Sequence, residues 1–230
     1  MYNNIECKIN NSCVGEYLLK KETEFLKYEI TYPKILIYPK YIYHNDYNKE
    51  TIQSINAIIY NDIIKFKNNL EKESLNYKEI YEKGDVKFKY EGYSNFDVTY
   101  DKNNLISIPV EFYEFTGGAH GMTYLESYNY DLDTGEKVLL NDLFKKGVDY
   151  KKIINAYIQS YIEKNKELFF EGNEGFKGIK DNQEFYMTDD NLVVYFEIYE
   201  IAPYYVSIPK FNIPLKEIEQ YLNLKYICIQ

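Results

Sequence analysis

The pattern of apolar and polar positions divides the first half of the chain into strands and one long helix. Residues 16–45 alternate loosely and are rich in Tyr and Ile, which is typical of β-strands. Residues 51–74 carry apolar side chains three or four positions apart, as an amphipathic helix does. Residues 86–115 return to strand-like alternation between turn-forming Gly, Asn and Asp. The first half is therefore predicted to be a helix packed on a small antiparallel sheet.

The predicted helix has a single apolar stripe. Glu50 and Thr51 are both plausible first residues, because Thr51 could cap the helix with its hydroxyl. A stripe of this width is expected to face the core of the protein rather than a cofactor. Its members are Ile52, Ile55, Ile59, Ile63, Phe66 and Leu70.

The second half repeats the order strand, helix and strands. Residues 122–132 alternate as a strand, and Asp149 is expected to begin a second helix. Two further strands are predicted at 184–189 and 191–201, followed by a terminal helix from about Leu215. The chain is thus predicted to be α+β.

The predicted architecture has two small subdomains, each a helix packed on a mainly antiparallel sheet. The boundaries expected from the pattern are 16–104 and 105–222.

Residues 131–142, at the end of the predicted strand 122–132, resemble a calcium-binding loop at first sight. Asp131 and Asp133 fit the first and third positions of such a loop, but Gly135 falls one position early and Asp142 stands where Glu is needed. A hairpin turn at Gly135 is the better interpretation. A second short turn is expected just beyond it, capped by Asn141.

The charge of the chain excludes one class of partner. The net charge is −9, whereas nucleic-acid binding rests on Lys and Arg that neutralise phosphates. Acidity is concentrated in residues 160–205, which contain ten Asp and Glu and four Lys. Such a segment is either a solvated face or a surface that steers a basic protein.

Tyrosine is unusually frequent, with 28 Tyr and 13 Phe but no Trp. A biased base composition in the coding DNA would explain this, since Lys, Asn and Ile are abundant too. A tyrosine-rich binding surface would also explain it, because Tyr offers rigid amphipathic contact area. Clustering of tyrosines on the surface would separate the two interpretations.

The cysteines and the start of the chain leave the compartment open. Cys7 and Cys13 could pair in an oxidising compartment, and reduced thiols are equally compatible with Cys7, Cys13 and Cys228. No apolar run reaches the roughly 18 residues that a membrane span needs, and the start has no signal-peptide core. We expect that the chain stays inside the cell or that an export signal was removed.

The glycine-rich stretch EFTGGAHGMTY, residues 114–124, is the strongest candidate for chemistry. It lacks the Lys of a phosphate loop and the Ser of a nucleophile elbow. His44 and His120 with a carboxylate could bind zinc, although no spacing indicates it. No metal and no cofactor are therefore expected.

The same stretch has a structural interpretation. Gly117, Gly118 and Gly121 permit positive φ or close backbone approach between two strands, with His120 hydrogen-bonded inside the turn. An envelope-polysaccharide hydrolase or metal-assisted enzyme that uses His120 remains the catalytic alternative.

Several motifs in fixed order resemble one family. FTGGAHG, then DLDTGEKVLLNDLF, then NLVVYFEIYEIAPYYVSIPKFNIPL resemble the extracellular domain of the RsiV-type anti-sigma factors, which act as lysozyme receptors. Residues 105–218 are similar to domain of unknown function 3298. Residues 16–100 resemble its companion, domain of unknown function 4163, and the same pair precedes the catalytic domain of PdaC-type deacetylases.

The resemblance implies a binding module without chemistry of its own. Family members that recognise lysozyme cover its active-site cleft with loops that include a Pro-x-Tyr element, which Pro203 and Tyr205 match, with Tyr204 between them. Alternatively, Pro203 ends a strand and the tyrosines fill the core. The implied partner is a basic protein such as lysozyme or a glycan of the envelope. Neither sigma-factor control nor deacetylation is carried over, because the sequence shows no sigma-binding helix and no deacetylase domain. A structural or stress role inside the cell is the third hypothesis, which the absence of an export signal upstream of Met1 in the gene would favour.

Overall fold

The computed structural model describes residues 7–10, 12–37, 48–84 and 88–228. The chain forms two compact units that are interleaved along the sequence. We call residues 12–97 and 110–126 the N-terminal unit, and residues 1–11, 98–109 and 127–230 the C-terminal unit. The α+β class predicted from the sequence is confirmed, whereas the subdomain boundaries at 16–104 and 105–222 remain a prediction.

The N-terminal unit is a sheet covered by one long helix. Its strands follow the order β1-β2-β3-β5, and β5 continues into the C-terminal unit. The elements are β1 (Val14–Glu22), β2 (Leu26–Ile35), α1 (Lys49–Lys83), β3 (Tyr90–Phe96) and, after β4, β5 (Leu105–Phe115).

The helix α1 buries five of the six side chains in the stripe that the sequence predicts, and the sixth, Phe66, is half-buried against Phe112. Ile52, Ile55, Ile59, Ile63 and Leu70 are all buried, and each such side chain stabilises the fold by about 1.5–3 kcal/mol relative to an exposed one.

The predicted start of this helix was wrong by one or two residues. The helix begins at Lys49, because the side chain of Asn48 accepts a hydrogen bond from the backbone N–H of Glu50.

One strand pair departs from the predicted antiparallel arrangement. β2 and β3 are parallel, whereas β1–β2 and β3–β5 are antiparallel. Parallel neighbours need a long crossover, and α1 supplies it between β2 and β3. A Cβ on Gly92 would lie 2.3 Å from a methyl carbon of Leu70, so the absence of a side chain at Gly92 lets α1 lie close to β3.

The C-terminal unit has its own antiparallel sheet, in the order β7-β8-β9. The helix α2 contributes Ile154 and Ile158 to the core, which also contains Phe211 and Ile213 of β9. The elements of this unit are β4 (Tyr100–Lys102), the ends of β5 and of β6 (Met122–Asp131), α2 (Tyr150–Lys164), β7 (Phe185–Met187), β8 (Asn191–Tyr195), β9 (Lys210–Pro214) and α3 (Leu215–Ile218).

Local signals in this unit were predicted with mixed success. Asp149 caps α2, as predicted, by accepting a hydrogen bond from Lys152 N–H. The turn at Gly135 is confirmed, with φ 76° and antiparallel pairing of Tyr130 with Lys137 on either side. The predicted cap at Asn141 was wrong.

Asn141 lies inside a 3₁₀ turn, Leu140–Leu143. The carboxylate of Asp142 provides the local bond instead, because it accepts from the backbone N–H of Leu139.

Buried polar side chains hold the strands of this unit together. Ser107 donates to the side-chain oxygen of Asn129 at 2.6 Å, and Asn129 donates to the carbonyl of Phe185 at 2.7 Å. Met187 N–H in turn donates to the Ser107 hydroxyl at 2.9 Å. Because each of these groups is paired, their burial is not penalised.

A disulfide joins the two ends of the described chain. Cys7 is bonded to Cys228, so the Cys7–Cys13 pairing considered from the sequence is not formed. Tyr100 holds the C-terminal side of the bond: its hydroxyl donates to the carbonyl of Tyr226 and accepts from the N–H of Cys228. The sequence could not reveal this pairing, because the two cysteines are 221 positions apart.

Within the described ranges, none of the helices has the length and apolar character needed to cross a membrane.

Candidate functional site

The loop that contains the predicted binding residues connects two neighbouring strands, β8 and β9. These strands pair in antiparallel fashion up to Tyr195 and Lys210. Just beyond, the N–H of Phe196 donates to the carbonyl of Pro209 at 3.0 Å and closes the base of the loop. We call residues 196–209 the aromatic loop.

The first part of the aromatic loop is anchored in the core. Ile201 and Ala202 are buried, and the carbonyl of Ile201 accepts from Phe170 N–H at 3.0 Å. The carboxylate of Glu200 accepts from Glu197 N–H, which closes a local turn. These contacts fix the backbone directly before Pro203.

Two residues of the aromatic loop have left-handed backbone conformations without being glycine. The φ angle is 69° at Tyr199 and 62° at Ser207. Such conformations cost of order 1–3 kcal/mol each, and they persist only where the surroundings enforce them. The two residues flank the predicted binding element on both sides, so its presentation is fixed by the fold.

The predicted binding element, Pro203–Tyr205, lies at a 3₁₀ turn in which Tyr204 is half-buried and Tyr205 is exposed. Pro203 precedes the turn Tyr204–Val206, and its carbonyl accepts from Val206 N–H at 3.0 Å. The Tyr204 ring packs 5.9 Å from that of Tyr199. Tyr205 is 68% exposed, and its hydroxyl donates to the carbonyl of Glu167 at 2.9 Å. The tyrosines therefore do not fill the core, and Pro203 lies at a turn rather than at the end of a strand.

A cleft of about 590 Å³ borders the aromatic loop. Phe176 and Tyr199 supply aromatic lining, while Glu174 and Glu200 supply carboxylates. Lys180, also on the cleft, pairs with Glu200. Aromatic walls with a few charged groups are typical of ligand-binding concavities.

Several carboxylates around the aromatic loop are exposed and carry negative charge to the surface. Glu167, Glu171, Glu174 and Glu197 are exposed and make no ion pair within the described ranges. Glu167 also carries the carbonyl that receives the Tyr205 hydroxyl. These exposed carboxylates belong to the loop itself and to the neighbouring segment 167–174, and complementary charge of this kind favours a basic partner.

The glycine-rich stretch forms the connection between β5 and β6. Gly117 and Gly118 have φ angles of 103° and 92°. A Cβ on Gly117 would lie 2.3 Å from the Phe88 ring, and one on Gly121 would lie 2.4 Å from the Tyr113 ring. Glycine is therefore required at these positions, either for a positive φ angle or because a side chain would clash with a neighbouring ring.

The structure places His120 on this turn. It is exposed, and its Nδ1 lies 3.0 Å from the carbonyl oxygen of Gly121. Among the described residues, no group of three or more His, Cys, Asp or Glu is arranged to hold a metal ion. His44 lies outside the described residues. A catalytic or metal-binding role for His120 therefore remains a prediction of the sequence.

The sequence did not identify Tyr199 as part of the site. Alternation across residues 191–201 suggested a continuous strand, but β8 ends at Tyr195. One signal in the sequence argued against a strand that continues to residue 201. Pro203 restricts the backbone of the residue before it and favours a turn nearby.

Two family models match the chain. Residues 19–123 match the family described as deacetylase PdaC. Residues 141–216, which include the aromatic loop, match the protein family of unknown function DUF3298. The resemblance to an RsiV-like and PdaC-like family is thereby confirmed.

Two curated relatives come from Bacillus subtilis (strain 168). The peptidoglycan-N-acetylmuramic acid deacetylase PdaC is 25% identical over 137 residues, which cover 58% of this chain and 29% of that protein. The anti-sigma-V factor RsiV is 30% identical over 178 residues, which cover 73% of this chain and 58% of that protein. The chain thus spans less than two thirds of either relative.

The fold has a counterpart among solved structures. A DUF3298 family member from Bacteroides fragilis NCTC 9343 matches with a TM-score of 0.66, covering 94% of this chain and 95% of that one. The sequence identity is 17%, so the match shows a shared fold only.

Proposed function

Because residues 19–123 match the PdaC family and residues 141–216 match DUF3298, we propose that this chain is a non-catalytic binding module linked to the cell envelope. Its partner is a basic protein such as lysozyme. The relatives support the envelope link, since one is named as a peptidoglycan deacetylase and the other as an anti-sigma factor. The contact surface is the aromatic loop, with Pro203, Tyr204 and Tyr205 at its tip.

One observation carries this proposal: Tyr205 is an exposed aromatic side chain on a fixed backbone. Exposed tyrosines on rigid loops give large contact area at little entropic cost, and they are common binding hot spots. The hydrogen bonds of Glu200 and Ile201 hold the loop backbone before any partner binds, so less ordering is needed on association.

The charge of the surrounding surface supports a basic partner. Glu174 lines the cleft, Glu171 is exposed three positions earlier in the chain, and the whole chain carries a net charge of −9. Complementary charge accelerates association and suppresses acidic competitors. Lysozyme is a basic protein, so its charge is opposite to that of this chain.

The proposal is tested by measuring the affinity of the purified chain for a c-type lysozyme at low and at physiological salt. Specific recognition predicts binding that is weakened but retained at physiological salt. Binding that disappears at physiological salt would indicate general attraction between an acidic and a basic protein, which salt screens. That outcome, or no binding at either salt, would reject lysozyme as the partner.

A further inference from the structure

Three tyrosine rings form an aromatic ladder on the N-terminal unit. Tyr17 on β1 lies directly opposite Tyr32 on β2, with ring centroids 5.7 Å apart. The Tyr32 ring is in turn 5.7 Å from that of Tyr60 on α1. Tyr17 and Tyr60 are 40% and 44% exposed. This is the surface clustering of tyrosine that a binding role, rather than composition alone, requires.

The ladder lines a groove of about 710 Å³. The side chain of Asn56, on α1, forms part of it and accepts from the N–H of Ile35 and donates to its carbonyl, both at 2.8 Å. These two bonds fix the end of β2 against α1 without any ligand. A preformed groove of this volume lies within the range of about 300–1,000 Å³ that is usual for small-ligand sites.

The polar groups of the groove are available to a ligand. Within the described ranges, the hydroxyls of Tyr17, Tyr32 and Tyr60 make no hydrogen bond, and the exposed amide of Gln53 also lines the groove. Burial, together with the neighbouring Tyr60 and Tyr17, raises the pKa of Tyr32, so its hydroxyl remains a donor at neutral pH. The groove thus offers stacking faces together with donors and acceptors.

The charge of the groove is opposite to that of the chain as a whole. Among the described residues that line it, Lys34 is the only charged one. Its Nζ lies 5.4 Å from the centroid of the Tyr17 ring, and it makes no ion pair with any described residue. An anionic group above Tyr17 would therefore meet a positive charge that is not paired with a carboxylate of any described residue.

We propose that this groove binds an acidic glycan. The C–H faces of its sugar rings stack on the tyrosine ladder, and a carboxylate of the glycan pairs with Lys34. The ring hydroxyls bond to the tyrosine hydroxyls and to Gln53. The hydroxyls of a sugar can use the tyrosine hydroxyls and the Gln53 amide as hydrogen-bond partners, whereas an apolar side chain cannot.

The test compares two tetrasaccharides that differ in charge. One alternates N-acetylglucosamine and N-acetylmuramic acid, which carries a lactyl carboxylate; the other is uncharged chitotetraose. Calorimetric titration of the intact chain is expected to show tighter binding of the acidic tetrasaccharide. Tyr60→Ala should weaken that binding by about tenfold or more, while Tyr60→Phe should retain most of it.

Lys34→Gln is expected to remove the preference for the acidic tetrasaccharide, leaving equal affinities for both. Equal affinities in the unchanged chain, no binding at millimolar ligand, or binding unaffected by Tyr60→Ala would each overturn the proposal. Preferential binding of an acidic peptide over both sugars would overturn it as well.

The groove and the aromatic loop are tested independently. Tyr205→Ala should leave glycan binding unchanged, and Tyr60→Ala should leave lysozyme binding unchanged. Failure of the lysozyme experiment therefore does not affect the glycan result, and the converse also holds. Because Tyr17 and Tyr60 are both substantially exposed, their replacement is compatible with folding, which circular dichroism of each variant verifies.

Discussion

The hydroxyl of Tyr205 donates a hydrogen bond to the backbone carbonyl of Glu167, 2.9 Å away, although the Tyr205 side chain is 68% exposed. This bond holds an exposed ring in one orientation. An exposed aromatic ring with restricted motion loses little entropy when a partner covers it. The arrangement therefore favours a contact residue over one with a role in stability.

Tyr205→Ala is expected to weaken lysozyme binding by about 2 kcal/mol or more, because the ring would be a hot spot at the tip of the aromatic loop. Tyr205→Phe, which loses only the bond to Glu167, should weaken it less. Tyr124→Ala is the matched control, since Tyr124 is also exposed and bonded through its hydroxyl, to Glu114, but lies in the N-terminal unit. Equal affinities for Tyr205→Ala and the unchanged chain would remove Tyr205 from the interface.

The acidic side chains near the aromatic loop should act on the rate of association. Glu171→Gln with Glu174→Gln is expected to lower the association rate for lysozyme and to reduce its dependence on salt, with little change in dissociation. Stopped-flow measurements at several ionic strengths would show this. Glu16 and Glu24, on the N-terminal unit, provide a control pair with the same change in net charge. An equal effect of both pairs would indicate net charge alone.

The elements of the fold were predicted from the sequence where a local signal determines them. The Ile52–Leu70 stripe and the Asp149 cap are local, and both were correct. The parallel pairing of β2 with β3 is not local, since it depends on where α1 returns the chain. The Cys7–Cys228 disulfide was not predicted for the same reason, because no spacing along the chain indicates it.

In the candidate site, too, some residues were predicted from the sequence and others were found only in the structure. Pro203 and Tyr205 were selected from a family resemblance, and the structure adds Tyr199, whose left-handed backbone no propensity would suggest. The tyrosine ladder could not be predicted from the sequence, because Tyr17, Tyr32 and Tyr60 come together only through strand register and helix packing. A high tyrosine content suggested a surface cluster without locating it.

The disulfide should contribute strongly to stability. It closes a loop between residues 221 positions apart, for which the chain-entropy treatment gives about 5 kcal/mol as an upper value. Cys7→Ser is expected to lower the free energy of unfolding by several kcal/mol, as measured by urea titration without reductant. Cys13→Ser is the control and should have a small effect, because Cys13 lies outside this disulfide. If reductant leaves the urea midpoint of the unchanged chain unaltered, the disulfide has no such role.

The glycine turn offers a test that separates geometry from catalysis. Gly117→Ala should destabilise the protein by about 1 kcal/mol or more, because φ is 103° and the new Cβ would meet the Phe88 ring. His120→Ala should change stability by about 0.5 kcal/mol at most, since the side chain is exposed. Thermal unfolding measures both. A polysaccharide-hydrolysing activity that is lost in His120→Ala would instead establish the catalytic alternative.

Glu71 should make the stability of the N-terminal unit depend on pH. Burial opposes ionisation, but hydrogen bonds from Lys67, Lys21 and Tyr28 outweigh it and lower the pKa of Glu71 to about 2. Because the folded pKa lies below the ordinary value of 4.5 for a glutamate, the stabilisation is fully present above about pH 4.5 and is lost as the pH falls towards 2.

Glu71→Gln is therefore expected to reduce the free energy of unfolding at pH 7 by on the order of 2 kcal/mol. The difference between the variant and the unchanged chain should shrink steadily between about pH 4.5 and pH 2. Urea titrations across this range measure it, and Glu82→Gln is the matched control, because Glu82 lies on the same helix and is largely exposed. A difference that stays constant with pH would mean that Glu71 contributes through packing rather than through its charge.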